Sequence, residues 1–371
     1  METGTLIVGA SSAGMAVARQ LQERGTPYVQ VERAPVVGQM WRNTYDRLHL
    51  HTARSRSGLP FRPMPRSYPR YPSRQQVVDY LETYRSDLVQ QPLFGREVRH
   101  LSRDGDAWHC EVDGESISAR NVVIATGNTR VPFRPTFEGE KTFNGPIIHS
   151  SEYRTGATYR GQNVLVVGFG NSACEIAIDL VEQGARPTLA VRGAVNAIPR
   201  ELLGIPIQNI GLIQRLFPAR IADAINGPVL RLALGDITKL GLRKLPYGPI
   251  EQIRIHQQMP LMDIGTLALI RSGSIAVRPG IARFTATGAT FTDGSEADFD
   301  AVILATGFRA ALGDMLSAVP DVLDASGTPL VSGGRTAAPG LYFCGFRLTS
   351  GGGIREAGLE SHRIADLIAA G

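Results

Sequence analysis

The chain has 371 residues, enough for two or three domains, and its 43% hydrophobic and 20% charged content excludes a disordered chain. The net charge is +5, yet the basic residues are scattered and only Lys141, Lys239 and Lys244 are lysines, so no nucleic-acid-binding arm is expected. Cys110, Cys174 and Cys344 lie far apart, which excludes a CxxC redox motif and a cysteine zinc site.

The first residues, Met1-Glu2-Thr3-Gly4, run straight into a strand pattern without the charged and apolar regions of a signal peptide. No apolar run approaches the ~18 residues of a spanning helix. The expectation is a cytoplasmic protein without integral membrane association, which the unpaired cysteines also fit.

Glycine is in surplus, with 41 residues, and the glycines cluster. Thr5-Leu6-Ile7-Val8 reads as a short strand, followed by Gly9-Ala10-Ser11-Ser12-Ala13-Gly14. A helix is expected from Met15 to Arg24, closed by Gly25, and then a strand over Tyr28–Val31 ending in Glu32. Strand, glycine turn, helix, strand and acid together make a dinucleotide-binding βαβ unit. The tight turn needs Gly9, helix–strand packing needs Gly14, and the free N–H groups of the helix start suit a pyrophosphate. The expected cofactor contacts are therefore Gly9, Ser11, Ser12, Ala13 and Gly14, with Glu32 on the ribose hydroxyls and Arg33 beside it. Ser11 stands where the motif has its second glycine.

Further along, Val122-Val123-Ile124 is a buried strand running into Ala125-Thr126-Gly127, a tight turn that lets the chain pass close to a cofactor. Asn163–Val167 is another, and it opens a second glycine turn, Gly168-Phe169-Gly170-Asn171-Ser172-Ala173. A helix is expected from Ser172 to Gln183, then a strand over Pro187–Val191 ending at Arg192. Where the first unit has an acid, the second has a guanidinium that can bind a 2′-phosphate bidentately. Gly168, Gly170, Asn171, Ser172 and Arg192 are thus expected to hold NADPH, and Glu32 a dinucleotide with free ribose hydroxyls. Ile207, Ile210, Leu212, Ile213, Leu216, Phe217, Ile221 and Ile225 form an amphipathic helical pattern broken by Pro218, which suits a core helix, a lid or a membrane-surface helix. Val302-Ile303-Leu304 then repeats the strand pattern and ends in Ala305-Thr306-Gly307. The fold class is α/β, with two Rossmann-like dinucleotide-binding domains.

Between the two glycine turns stands Phe143-Asn144-Gly145-Pro146-Ile147-Ile148-His149-Ser150-Ser151-Glu152-Tyr153. This FxGxxxHxxxY segment resembles the signature of class B flavin-dependent monooxygenases. Trp41–His51, Leu245–Ile250 and Pro260–Leu267 look closest to the YUCCA-type, auxin-pathway branch of that family. Gly38-Gln39-Met40-Trp41 is similar to the family's GGxW flavin contact, with Gln39 for its second glycine.

The resemblance implies a discontinuous FAD domain made of residues 1–149 and 281–371, with an NADPH domain inserted over 150–280. It adds Gln39, Met40, Trp41, Val98 and Gly345 to the expected cofactor contacts, along with both Ala-Thr-Gly turns. It also implies a helix over Ser73–Gln90, strands over Gly95–Val112, a last FAD strand at Leu341–Gly345 and a terminal helix over Arg355–Ala369. The activity implied is that of an FAD- and NADPH-dependent monooxygenase. In that family NADPH reduces the flavin, dioxygen adds to it as a flavin peroxide or hydroperoxide, and one oxygen atom passes to a small organic substrate. For the YUCCA-type branch the reaction is oxidative decarboxylation of an aryl 2-oxo acid such as indole-3-pyruvate. The family's breadth keeps N- or S-oxygenation of a small amine, indole or sulfide open.

His51 aligns where the family places a residue near the reactive flavin carbon and is the candidate catalytic residue, against a purely packing role. His49 and His51 have no third ligand in view, so no metal is expected. His149 and Tyr153 read as organising a domain junction. An NADPH-dependent flavoprotein reductase or a non-catalytic redox sensor would share the domains. A disulfide reductase would need a redox cysteine pair, which this chain lacks. Expected partners are the small substrate and dioxygen, with no nucleic acid and with a homodimer left open.

Overall fold

The computed structural model describes residues 1–210 and 217–371. Leu212, Ile213 and Leu216 of the amphipathic pattern lie outside the described residues. The chain forms two compact units, one of Met1–Asn43, Thr52–Val131 and Phe308–Gly371, the other of Thr44–His51 and Pro132–Gly307.

The first unit is built on a mixed sheet. The strands Leu93–Phe94, Val29–Glu32, Glu2–Val8, Glu115–Ile124, Ala107–Val112 and Val98–Asp104 lie side by side in that order. Glu2–Val8 runs parallel to both of its neighbours, and Leu341–Phe343 adds to Glu115–Ile124, also in parallel. The other two strands fold back as an antiparallel meander. Near-continuous apolar runs such as Leu6-Ile7-Val8 and Val122-Val123-Ile124 suit strands covered on both faces. The helices Ser12–Glu23 and Gly353–Ala369 pack together, and each buries an apolar face. The helix Arg74–Ser86 starts where a capping box can form. The Ser73 hydroxyl accepts from the Gln76 N–H, and the Gln76 side chain accepts from the Ser73 N–H.

The second unit carries an all-parallel five-stranded sheet in the order Ala276–Arg278, Arg186–Ala190, Asn163–Val167, Ala301–Leu304, Ile147–His149. The helix Asn171–Glu182 covers it, and Ile281–Phe284, Gly288–Phe291 and Glu296–Asp298 form a separate antiparallel sheet.

The expected boundaries at 149/150 and 280/281 therefore differ from the contact units, which divide at 131/132 and 307/308. Strand pairing is the reason. Val302-Ile303-Leu304 lies between Asn163–Val167 and Ile147–His149 and cannot leave that sheet without breaking two ladders. Thr44–His51, read as part of the first domain, also belongs to the second unit. The Asp46 N–H donates to the Arg154 carbonyl at 3.0 Å, and the Arg154 guanidinium donates to the Thr44 carbonyl at 2.8 Å.

The core reading of the amphipathic stripe fails over its later part, whereas Ile207 is half-buried. Phe217 is 44% exposed, and on the helix Ala219–Leu234 Ile221 is 50% and Ile225 57% exposed. That helix's one acid, Asp223, turns away from solvent and accepts the N–H groups of Ile250 and Glu251, so it caps the helix Pro249–Arg254. No helix among the described residues is long and apolar enough to cross a membrane.

Two glycine turns and a buried His–Glu pair

In the first unit the turn Gly9–Gly14 joins the strand Glu2–Val8 to the helix Ser12–Glu23. A Cβ on Gly14 would sit 1.9 Å from the Gly9 carbonyl oxygen, and one on Gly9, at φ +110°, would sit 2.7 Å from the Ala125 carbonyl oxygen. These two glycines are required by the protein itself, because the turn touches both the helix and the Ala125 turn through backbone. Ser11 is the N-cap, and its side chain makes no cap hydrogen bond; the Met15 N–H is the first to bond back, to the Ser11 carbonyl. The N–H groups of Ser12, Ala13 and Gly14 thus head a helix whose first turn has no acid, an arrangement that suits a pyrophosphate.

Glu32 ends the second strand with its carboxylate fixed by two backbone donors, Ala10 N–H at 2.7 Å and Ala34 N–H at 2.9 Å. Each oxygen keeps a second lone pair, enough to accept ribose hydroxyls. Gln30, which sequence reasoning missed, donates from its buried amide to the Gly9 carbonyl at 2.8 Å and holds the turn. A buried polar residue inside a strand was the available signal.

The other expected contacts of this unit divide by exposure. Val98 and Ala125 are buried, and the Thr126 hydroxyl is buried without a hydrogen-bond partner, as a site awaiting a ligand would leave it. Gly127, at φ +75°, would present an added Cβ to open space. Gly345 takes φ +87°, its N–H donates to the buried Glu360 carboxylate at 2.6 Å, and a Cβ there would press on Ala13 at 2.8 Å. Gln39, Met40 and Trp41 lie on the short helix Gln39–Asn43, with Met40 exposed and Gln39 bonded to Asn43 at 2.8 Å. Arg33 is exposed, donates to the Arg130 carbonyl at 3.3 Å and lies 3.9 Å from Glu97. These features fit a flavin dinucleotide.

In the second unit Gly168, at φ +128°, repeats the constraint on Gly9, since a Cβ would lie 2.6 Å from the Ala305 carbonyl oxygen. Gly170 is the helix N-cap and differs, because nothing of the protein lies within 4 Å of an added Cβ. That position is free for a ligand's approach, and it corresponds to Ser11 in the first turn, where the fold tolerates a side chain. The Asn171 side chain accepts the Met262 N–H at 2.8 Å, so it is engaged in holding a strand. Arg192 follows the strand Arg186–Ala190 and is exposed. Two further cations stand at the same strand end. Arg243 donates to the Arg192 carbonyl at 2.6 Å, and the Arg278 carbonyl accepts from the Val191 N–H at 2.8 Å. Neither was legible from motif spacing, because long-range pairing brings them there. Exposed arginines at this strand end suit a phosphorylated ribose.

The FxGxxxHxxxY segment is internal to this unit. His149 Nδ1 accepts the Ser151 N–H at 3.1 Å, which leaves Nε2 to donate to the Gly307 carbonyl at 3.1 Å. His149 thereby ties the segment to the Ala305-Thr306-Gly307 turn, whose Thr306 hydroxyl donates to the Phe133 carbonyl. The Tyr153 hydroxyl donates to Asp179 at 2.6 Å, and the Gly156 N–H donates to the same oxygen at 2.8 Å.

Burial holds the His149 imidazole below its ordinary value of 6.5. The unfolded chain therefore takes up a proton near that pH that the folded protein resists, and stability should fall as pH drops below about 6.5. The melting temperature of His149→Asn should depend less on pH between 7 and 5 (about two pH units, the histidine range) than that of the parent. Parallel curves would refute the assignment.

His51 lies against the helix that follows the second turn. Its Nε2 is 2.7 Å from Glu175 Oε1, with the ring 17% and the carboxylate 2% exposed. Tyr45 is buried beside them, facing Ser172 and Glu175; burial first and the Glu175 charge second raise its phenol well above the usual range. Among the described residues no group of three or more potential ligands is placed to hold a metal.

Two glycine turns, each joining a strand with parallel neighbours to a helix, with an acid after one and an arginine after the other, define a flavoprotein oxidoreductase with two dinucleotide sites. Residues 6–202 match the pyridine nucleotide-disulphide oxidoreductase family. The chain is 37% identical over 352 residues to a probable indole-3-pyruvate monooxygenase, YUCCA1, of Arabidopsis thaliana, covering 92% of this chain and 84% of that protein. It is 38% identical over 384 residues to the indole-3-pyruvate monooxygenase YUCCA8 of Oryza sativa subsp. indica, covering 99% and 90%. A doubly substituted flavin monooxygenase from Stenotrophomonas maltophilia superposes with a TM-score of 0.77 at 25% identity, over 100% of this chain and 98% of that one. The chain belongs to the YUCCA-type family of class B flavin monooxygenases. It is a monooxygenase that uses FAD and NADPH.

Proposed function

We propose that the chain catalyses oxidative decarboxylation of an aryl 2-oxo acid, with indole-3-pyruvate as the reference substrate. The observation that carries this reading is 37–38% identity to indole-3-pyruvate monooxygenases over 92–99% of the chain. The balanced reaction consumes the 2-oxo acid, dioxygen, NADPH and a proton. It yields the carboxylic acid one carbon shorter, carbon dioxide, NADP⁺ and water.

FAD, once reduced by NADPH, supplies the activation of dioxygen. The chain's residues bind and orient. Gly9, Ser11, Ser12, Ala13 and Gly14 receive the FAD pyrophosphate, and Glu32 accepts the ribose hydroxyls, with Arg33 flanking. Gln39, Met40, Trp41, Val98, Ala125, Thr126, Gly127 and Gly345 complete the FAD contacts. Gly168, Gly170, Asn171 and Ser172 receive the NADPH pyrophosphate, with Ala305, Thr306 and Gly307 beside them. Arg192, joined by Arg243 and Arg278, takes the 2′-phosphate. His51 is the catalytic residue; its Nδ1 is buried and without a hydrogen-bond partner, a donor or acceptor left for a ligand. The setting proposed is the cytoplasm, with the chain acting alone or as a homodimer and binding no nucleic acid.

The test supplies the holoenzyme with NADPH, isotopically labelled dioxygen and, in turn, indole-3-pyruvate and a panel of amines and sulfides. Labelled acid with carbon dioxide released one-to-one with NADPH is expected. A labelled N- or S-oxide with no decarboxylation would replace this reading with heteroatom oxygenation.

A further inference from the structure

We propose that Glu175 is a positioning residue for His51, a buried carboxylate that fixes the imidazole through Nε2 and presents Nδ1 to the reacting group. The proposal rests on the reading of His51 as the catalytic residue. Glu175 lies one turn into the helix Asn171–Glu182, among the buried Ala173, Cys174, Ile176 and Ala177. A carboxylate in such a place costs several kcal/mol unless it is paired, and an apolar side chain of similar volume would pack there at no such cost. Packing alone therefore does not account for an acid at this position.

Docking of the Thr44–His51 segment has other anchors. Acids at 175, 179 and 182 share one face of the helix. Glu182 takes Arg47 through two hydrogen bonds of 2.8 Å each. Asp179 takes Tyr153 and the Gly156 N–H. Backbone bonds to Arg154 hold the start of the segment, and the Gln208 amide donates to the His51 carbonyl at 3.1 Å and holds its end. The segment is thus secured at both ends without Glu175.

Glu175 also faces the Tyr45 hydroxyl of that segment, and its Oε1 is turned to the His51 ring. Its Oε1 stands 2.7 Å from Nε2, and both nitrogens of the imidazole are buried, with no other hydrogen-bond partner. A carboxylate against one imidazole nitrogen selects the tautomer and ring orientation, and so decides which nitrogen meets a ligand. Here that nitrogen is Nδ1.

A double-mutant cycle on the holoenzyme tests this, with Glu175→Gln, His51→Asn, the pair combined, and Glu175→Asp. The first readout is the fraction of consumed NADPH that appears as oxygenated product. The second is the ring-nitrogen NMR signal of His51 in histidine-labelled protein, assigned by its loss in His51→Asn. Glu175→Gln and His51→Asn should each lower the product fraction, on the order of tenfold or more. The double variant should fall no further than His51→Asn, and Glu175→Asp should recover part of the loss. The His51 nitrogen signals should move in Glu175→Gln. Additive losses in the double variant, or unmoved His51 signals, would overturn the positioning role. A parent-like product fraction in His51→Asn would instead overturn the catalytic reading of His51, leaving the NMR shift to judge the Glu175–His51 pairing by itself.

Discussion

Gly14→Ala should be recovered with little or no FAD. An alanine Cβ would stand 1.9 Å from the Gly9 carbonyl oxygen and 3.0 Å from the Gln30 amide nitrogen, so the helix must move away from the turn. The obstacle is backbone, which cannot rotate aside as a side chain end can. Overpacking of this kind costs about 1–3 kcal/mol or more. Carried wholly by the bound state, it weakens the cofactor by roughly ten- to a hundredfold. The ratio of flavin to protein absorbance after gel filtration measures it, and full flavin content with an unchanged melting temperature would refute the packing argument. Gly170→Ala is the informative contrast. Its Cβ meets no protein atom, so the variant should fold and keep FAD while its KM for NADPH rises.

Arg192→Glu should reverse the preference between NADPH and NADH. A charge-assisted hydrogen bond to a phosphate contributes about 1.5–3 kcal/mol, and an acid in its place adds repulsion. The ratio of kcat/KM for the two dinucleotides should therefore fall by about a hundredfold or more. Arg243→Ala should move the ratio in the same direction by less, because Arg243 also braces the Arg192 carbonyl. An unchanged ratio in Arg192→Glu would remove the phosphate role.

Both predictions concern features legible in the amino-acid sequence. A βαβ unit is contiguous, and its demands on residue type are local: a glycine where backbones touch, an acid or an arginine at the second strand's end. The helix Ser12–Glu23, its Gly25 stop and Glu32 all follow from such near-neighbour physics. Ser11 departs from the motif, and the open space around Gly170 explains why a side chain is tolerated at that place.

The sequence by itself determined the two dinucleotide turns, the acid after one and the arginine after the other, and the family, because these reside in short segments whose chemistry does not depend on distant partners. Tertiary structure alone decided where the units divide, since a strand such as Ala301–Leu304 reads the same in either sheet until its neighbours are known. It also decided that Phe217, Ile221 and Ile225 face outward, because amphipathic spacing shows that a stripe exists but not what covers it. It alone set Glu175 against His51. Residues far apart in the chain meet only once the helix after the second turn has packed on its sheet, and no periodicity encodes that contact.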